Sequence, residues 1–557
     1  KFDDGFTIKA ENGNLYLTGD NERSALYAVY ELLERIGWRF FSCGSAYRML
    51  EVGSYMFPCE ALTCDKDVFF SENLYIRQRA AIAYRDGWSF ATRDSEFCAK
   101  IRLNAATWGV REMGKKFGGE RKFAHSAGHT FCELLPLSEY AESHPEYFAE
   151  INGKRVTESP GWNGEPQFCL TNFESADAVA ERLIEWKAAE PDADYVSVSQ
   201  NDNLLFCECE NCKRAYKKHG RFGTLILYVN EVAERLERVY PELKIHTYAY
   251  MGTDDINDSV KAHKNVVIQW CPVTMCRNHA LDDPSCRLNA KHLSALKTLA
   301  KVTDNVFVFD YRSCLKYAML NFTDIFKLRE TMSAYAENHV TGLYSELCLE
   351  TLNEPTFEEL RAYLFGKLLW NPYMSEEEYD GHINEFLKYF YGAGWRYIRE
   401  YLERWCGVNP DMHYTSFYAC MRDDEGRYIK DENGRHVFAA FTSYEKTEPF
   451  CKELGELLDK AKKDASPAQG MRIEMIRTGL IWYELFITMK ERLKTADEKE
   501  RKKLLAKNED LCSRMREYQM KYTNGIGMKN ITFMYDDFSI PVSEWNYTGN
   551  IAGENAE

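Results

Sequence analysis

From about residue 70 to residue 375 the chain repeats one unit, a short apolar run rich in β-branched and aromatic residues followed by an amphipathic helical stretch. This alternation restricts the fold more than any other feature, because each run must find parallel neighbours and each helix must cover them. The runs are Arg79–Tyr84, Ala105–Val110, Gln167–Thr171, Tyr195–Val198, Ile245–Tyr250, Val266–Trp270, Val306–Asp310 and Gly342–Glu346. Helical spacing recurs at Ser95–Asn104, Ser175–Ala189, Leu225–Leu236, Ala290–Lys301, Asp324–Glu337 and Phe357–Leu369. The pattern predicts an α/β chain whose centre, residues 69–375, is a (β/α)8 TIM barrel. Phe6–Ala10 and Asn14–Gly19 flank a Glu-Asn-Gly turn, and a helix over Arg23–Ile36 stops at Gly37, so residues 1–68 read as a small α+β domain. Beyond residue 376 the spacing is helical at Glu376–Tyr391, Arg396–Trp405, Tyr444–Lys463, Met471–Leu493 and Glu498–Tyr522, which predicts a helical C-terminal domain over 376–557. The long segment Arg111–Pro166 reads as an insertion over the catalytic face.

A barrel of this kind keeps its chemistry at the carboxyl ends of its strands. There the chain places Tyr84, Arg85 and Asp86, then Trp108 and Arg111, Asn172, Gln200-Asn201-Asp202, Tyr248 and Tyr250, Trp270, Asp310-Tyr311-Arg312, and Glu346. Asp202 and Glu346 are the expected catalytic pair. Paired carboxylates beside aromatic platforms suit glycoside hydrolysis, in which one protonates the leaving oxygen and the other attacks or stabilises the anomeric carbon. The spacing does not say which of the two gives the proton. Substrate contacts are expected from Asn201, Asp310, Tyr248, Trp270, Arg312, His129 and Arg85. Glu350 and Glu354, further along their loop, read as solvated.

Cys207, Cys209 and Cys212 stand in a Cys-x-Cys-x2-Cys spacing that supplies three soft ligands, one short of a structural zinc site. Cys276, His279 or Cys286 could supply the fourth, and the other reading of these residues is buried or paired thiols without a metal. No cofactor is expected for catalysis. With 18 cysteines scattered through apolar patterns, including Cys43, Cys59 and Cys64, and no leader pattern after Lys1, the thiols read as reduced and favour a cytoplasmic setting, whereas an N-glycan substrate would point to export.

Several segments together resemble the bacterial domain-of-unknown-function family 4838, which corresponds to glycoside hydrolase family 163. They are Gly19–Glu34, His144-Pro-Glu-Tyr-Phe148, Ser199-Gln-Asn-Asp202 with its cysteines, Lys367–Pro372 and Tyr391-Gly-Ala-Gly-Trp395. The leading domain also resembles that of family 20 hexosaminidases and family 67 α-glucuronidases. The resemblance implies an endo-β-N-acetylglucosaminidase-like enzyme acting, with retention, on a β-linked N-acetylhexosaminide. Where family 20 carries an Asp-Glu pair this chain has Asn201-Asp202, so the resemblance carries acid chemistry to Asp202 and leaves the substrate-assisted route open. Two other readings remain: an α-glucuronidase using Arg85, Arg111 and Arg312 against a uronate, and a catalytically silent glycan-binding protein.

The composition bears on partners. A formal net charge of −16 disfavours nucleic acid, whose phosphates need a basic face. No apolar run is long enough to span a bilayer. A glycan is the expected partner, supported by 11 Trp, 35 Tyr and 32 Phe that can stack on sugar rings. Oligomeric state is not encoded in any of these features.

Overall fold

The computed structural model describes residues 4–41, 73–89, 91–107, 112–159, 165–312, 324–347, 357–408, 413–415, 421–423, 427 and 444–523. Trp108, Arg111, Glu350, Glu354, Cys43, Cys59 and Cys64 lie outside the described residues. The architecture is mixed α/β. No helix among the described residues is long and apolar enough to cross a membrane.

The amino-terminal part forms a three-stranded sheet in which β1 (Phe6–Glu11) pairs antiparallel with β2 (Asn14–Gly19) and β3 (Tyr75–Gln78). Two residues of positive φ, Asn12 (52°) and Gly13 (74°), close the β1–β2 hairpin. That conformation matches the twist of the strands, and Asn-Gly adopts it at low cost. Helix α1 (Glu22–Arg35) starts in a capping box: Asn21 Oδ1 accepts from Ser24 N at 2.8 Å, while Asn21 N donates to Ser24 Oγ at 3.0 Å. Asn21→Ala is expected to cost about 1 kcal/mol in denaturant unfolding. Trp38–Phe41, apolar enough to suggest a strand, carries no ladder.

Asp4 joins this layer to the rest. Its carboxylate accepts from Arg23 Nη2 at 2.8 Å, Arg85 Nη2 at 2.6 Å and Asn104 Nδ2 at 2.8 Å. Burial works against its ionised form, yet the two guanidiniums outweigh it and hold the carboxyl well below its ordinary range.

The centre is a curled, six-stranded, all-parallel sheet. Its strands are β4 (Tyr84–Trp88), β5 (Tyr195–Ser197), β6 (Lys244–Ala249), β7 (Val266–Trp270), β8 (Val306–Tyr311) and β9 (Val340–Glu346), in the order β4-β9-β8-β7-β6-β5. Isolated parallel bridges pair Ala105 with Arg121 and Phe123 with Tyr195 of β5. Two expectations change here. Gln167–Thr171 is not a strand of this sheet, since Phe168 bridges antiparallel to Phe148, and Phe123, inside the supposed insertion, is the residue that reaches β5. The first central strand begins at Tyr84, where Arg79–Tyr84 was expected to end.

Helices α2 (Ser175–Ala189), α3 (Glu210–Glu237), α4 (Arg287–Val302), α5 (Leu328–Glu337) and α6 (Glu358–Trp370) alternate with the strands. Gly220 at φ 69° breaks α3 into two segments. Among the described residues five further helices follow: α7 (Glu376–Tyr391), α8 (Trp395–Cys406), α9 (Tyr444–Lys462), α10 (Pro467–Lys494) and α11 (Glu498–Thr523).

Strand parity sorts the central residues. Val196, Ile245, Ala249, Ile268, Trp270, Val308 and Leu343 join the core shared with the helices. Their neighbours turn the other way, toward the axis of the curl: Tyr84, Phe123, Tyr195, Val267 and Phe307 form one layer, and Tyr248, Tyr250, Cys271, Phe309, Tyr311 and Tyr344 another nearer the carboxyl ends. His246 is held among them by Gln269 Oε1 at 2.6 Å and Ser197 Oγ at 3.0 Å, and burial lowers its pKa to about 4, so it is neutral at neutral pH.

Candidate active site

The second inward layer opens onto the carboxyl ends of the strands, where Trp88 and Val273 pack against its rings. Tyr311 lies beside Glu346 in the β8–β9 register, and Glu346 lies beside Trp88 in the β9–β4 register. Tyr311, Trp88 and Glu346 therefore share this rim with Tyr248 and Tyr250 of the β6 end.

Glu346 is half-buried, and its Oε2 is closed to solvent with no hydrogen-bond partner among the described residues. Desolvation raises its pKa to about 7, only partly offset by the Arg277 guanidinium. A carboxyl group that keeps its proton near neutral pH in an aromatic setting can act as a general acid. Trp88 Nε1 is likewise buried without a partner among the described residues. Native structures rarely strand such groups.

Asp202 emerges from β5 in a loop whose other polar side chains are spent on the backbone. Gln200 Nε2 donates to Met251 O at 2.8 Å, and Asn203 Oδ1 accepts from Leu205 N at 2.9 Å. Asn201 Oδ1 accepts from Cys132 N at 3.1 Å, and its Nδ2 donates to Pro166 O at 2.9 Å. The amides knit the loop and the carboxylate is left exposed, taking a hydrogen bond from Tyr250 Oη at 3.1 Å. Burial raises the Tyr250 pKa first, and the charges of Asp202 and Glu346 both add to it, which puts this phenol within electrostatic reach of both carboxyl groups. His129, half-buried at φ 55°, lies 5.3 Å from the Tyr248 ring and 5.9 Å from the Tyr250 ring. Its Nδ1 donates to Gln200 O at 2.8 Å, which leaves the other ring nitrogen as an acceptor when the ring is neutral.

Five expected substrate contacts go elsewhere. Asn201 is buried and fully engaged as described. Asp310 and Arg312 turn to the helix side, where Asp310 accepts from Arg277 Nη1 at 2.6 Å, Arg312 Nε at 2.5 Å and Tyr335 Oη at 3.1 Å. Arg312 also donates to Asp324 at 2.8 Å, and Asp324 pairs with Arg361. Trp270 has the same parity and packs 5.9 Å from His292 of α4. Arg85 is the fully buried partner of Asp4. Asp86 does face inward, but Thr107 N donates to it at 2.6 Å and Gly87 N at 2.8 Å. Trp88 and Tyr344 were not singled out from sequence, whereas Tyr311 stood with Asp310 and Arg312 at its strand end; Tyr344 lies two positions before Glu346 on the same strand face.

The three spaced cysteines gather with Cys169, not with Cys276, His279 or Cys286. Those three instead form a separate cluster with His413. A hollow of about 420 Å³ lined by Lys187, Asp194, Tyr240 and Glu242 lies at the opposite, amino-terminal end of β5 and β6 and holds none of the residues of this rim.

The family described as Domain of unknown function (DUF4838) matches residues 64–403. No curated protein matches the chain. Among solved structures, a family 89 glycoside hydrolase from Clostridium perfringens in complex with 2-acetamido-1,2-dideoxynojirmycin is 12% identical at a TM-score of 0.47, over 91% of this chain and 61% of that one. CpGH89 from Clostridium perfringens in complex with its substrate GlcNAc-alpha-1,4-galactose is 11% identical at 0.44, over 93% and 61%. CpGH84B is 10% identical at 0.37, over 96% and 86%. The chain thus spans 61% of the length of the first of these proteins.

Proposed function

The chain belongs to the DUF4838 family, and on that footing we propose that it is a glycoside hydrolase acting on a β-linked N-acetylhexosaminide within a larger glycan, of the endo-β-N-acetylglucosaminidase kind. We read the curled sheet and its two bridges as a (β/α)8 barrel with this activity at its carboxyl face. The observation that carries the reading is Glu346: a carboxyl group raised to about 7 by desolvation, at the end of a parallel strand, among aromatic rings. Glu346 is the proton donor to the glycosidic oxygen, and Asp202 is the partner carboxylate that stabilises the developing positive charge. Tyr248, Tyr250, Tyr311, Tyr344 and Trp88 supply the wall against which a sugar ring stacks, and His129 offers a polar contact at its edge.

The α-glucuronidase alternative loses support, because Arg85 and Arg312 are neutralised in buried ion pairs and bring no cation to a uronate.

The test is a substrate panel of fluorogenic α- and β-N-acetylglucosaminides, glucuronides and intact N-glycans. Turnover of a β-N-acetylglucosaminide linkage is expected. Intact turnover in both Glu346→Gln and Asp202→Asn would overturn the residue assignment, and glycan binding without turnover of any substrate would make the protein a lectin-like module. Tyr250→Phe removes the hydroxyl that orients Asp202. With a hydrogen bond to a charged group worth about 1.5–3 kcal/mol, kcat/KM is expected to fall roughly 10- to 100-fold with the fold intact.

A further inference from the structure

Two clusters of soft ligand atoms lie apart from the carboxylate pair. In the first, Cys169, Cys207, Cys209 and Cys212 are all buried; in the second, Cys276, Cys286 and His413 are buried and His279 half-buried; within each, the ligand atoms lie within 4.8 Å of one another. We propose that each cluster binds one tetrahedral zinc-class ion, so that the chain is a two-zinc protein whose metals brace the loops on either side of the site. The proposal does not depend on the hydrolase reading.

The distances carry it. Zinc bonds sulfur at about 2.3 Å and imidazole nitrogen at about 2.0–2.1 Å, so a tetrahedron around it has S···S edges of roughly 3.8 Å and S···N edges of roughly 3.5 Å. Cys169 Sγ lies 3.8 Å from both Cys209 Sγ and Cys212 Sγ. In the second cluster Cys276 Sγ is 3.3 Å from His279 Nδ1 and Cys286 Sγ 3.5 Å from His413 Nδ1. Disulfide sulfurs sit near 2.05 Å, and all six cysteines are free.

N–H donors converge on the sulfurs. Glu150 N donates to Cys207 Sγ at 3.3 Å, Arg155 Nη1 to the same sulfur at 3.6 Å and Cys212 N to Cys209 Sγ at 3.5 Å. Asn289 N donates to Cys286 Sγ at 3.4 Å. Such N–H···S contacts hold and charge-stabilise metal-bound sulfur. Cys209 and Cys286 are also the N-caps of α3 and α4, which fixes their sulfurs at the start of a helix. Buried cysteines alone can be ordinary core, but two imidazoles turned onto two sulfurs are poor apolar packing and good ligation. Each cluster offers four protein ligands, the closed set of a structural rather than catalytic zinc.

The first ion joins Cys169 to the segment that follows Asp202, and so fixes the loop carrying that carboxylate. The second joins the loop after β7 to His413, and that loop carries Arg277, the partner of Asp310. Metal content of the full chain, purified without chelator and measured by inductively coupled plasma mass spectrometry, tests this. Two zinc per chain are expected, falling to one in Cys209→Ser and to one in His413→Ala. Cobalt exchange gives a reading that needs no variant: an all-sulfur and a two-sulfur, two-nitrogen tetrahedral spectrum should both appear. One zinc or none in the wild-type chain, or an intact mass lowered by disulfide formation among these six cysteines, overturns the proposal.

Discussion

Glu346→Gln is expected to lower kcat by about 10²–10⁴-fold on a substrate whose leaving group needs a proton, and to raise stability at alkaline pH. The two effects have one cause. With the folded pKa near 7 against an ordinary 4.5, the native protein holds a proton between those values that the unfolded chain has released. Stability therefore falls by about 1.4 kcal/mol per pH unit as pH rises through that window, to a total on the order of 3 kcal/mol above pH 7. Gln carries no charge to desolvate, so the variant should resist urea better than wild type at pH 8 and no better at pH 4.5. In wild type, turnover should decline above about pH 7 as the acid ionises, and residual activity of the variant should lack that limb. A Glu346→Gln enzyme with wild-type turnover and an unchanged pH profile would remove Glu346 from the chemistry. Glu359, buried in α6 and also raised to about 7 by desolvation, is the control: Glu359→Gln should shift the pH dependence of stability the same way and leave turnover unchanged.

Asp310→Ala should instead cost about 3–5 kcal/mol of stability, because it leaves the guanidiniums of Arg277 and Arg312, 0% and 2% exposed, without their shared carboxylate. Burial alone would raise the Asp310 pKa, but Arg312 and Arg277 overcome it and hold the carboxyl below its ordinary value. Its contribution is therefore present above the unfolded carboxylate pKa of about 4 and is lost as pH falls below it. Urea denaturation at pH 7 and at pH 3 measures both statements. Activity should track the folded fraction. A variant that folds with wild-type stability yet fails to turn over would show that Asp310 acts on substrate directly.

The contrast between Glu346 and Asp310 shows what could be read from the chain. Both are acids ending an apolar run, and nothing local separates them. In a parallel sheet covered on both faces, the runs are apolar throughout, so the alternation that marks inside and outside in an amphipathic strand is missing. Val306-Phe-Val-Phe-Asp310 offers no polar face from which to count, and the same ambiguity drew Trp270 and Arg85 toward the site. The third strand was misplaced for a related reason: Phe123 reaches β5 through a single bridge, too short to leave a periodic pattern, while the apolar Gln167–Thr171 run mimics a strand. The metal clusters were half legible. Cys-x-Cys-x2-Cys is a local signal, but Cys169 stands 43 positions before Cys212, and His413 is 127 positions beyond Cys286.

What the sequence determined by itself is whatever rests on neighbours a few positions apart: the strand–helix rhythm, the Asn-Gly hairpin, the helices after residue 375, the cysteine spacing and the presence of acids at strand ends. Backbone propensity and side-chain periodicity act over that range, so they leave a readable trace. Which acid faces the rings and which faces two arginines, and which distant Cys or His completes a ligand set, was decided only when the sheet curled and its registers locked. Those choices follow from contacts between segments far apart in the chain, where a one-residue change of register turns every side chain to the other face.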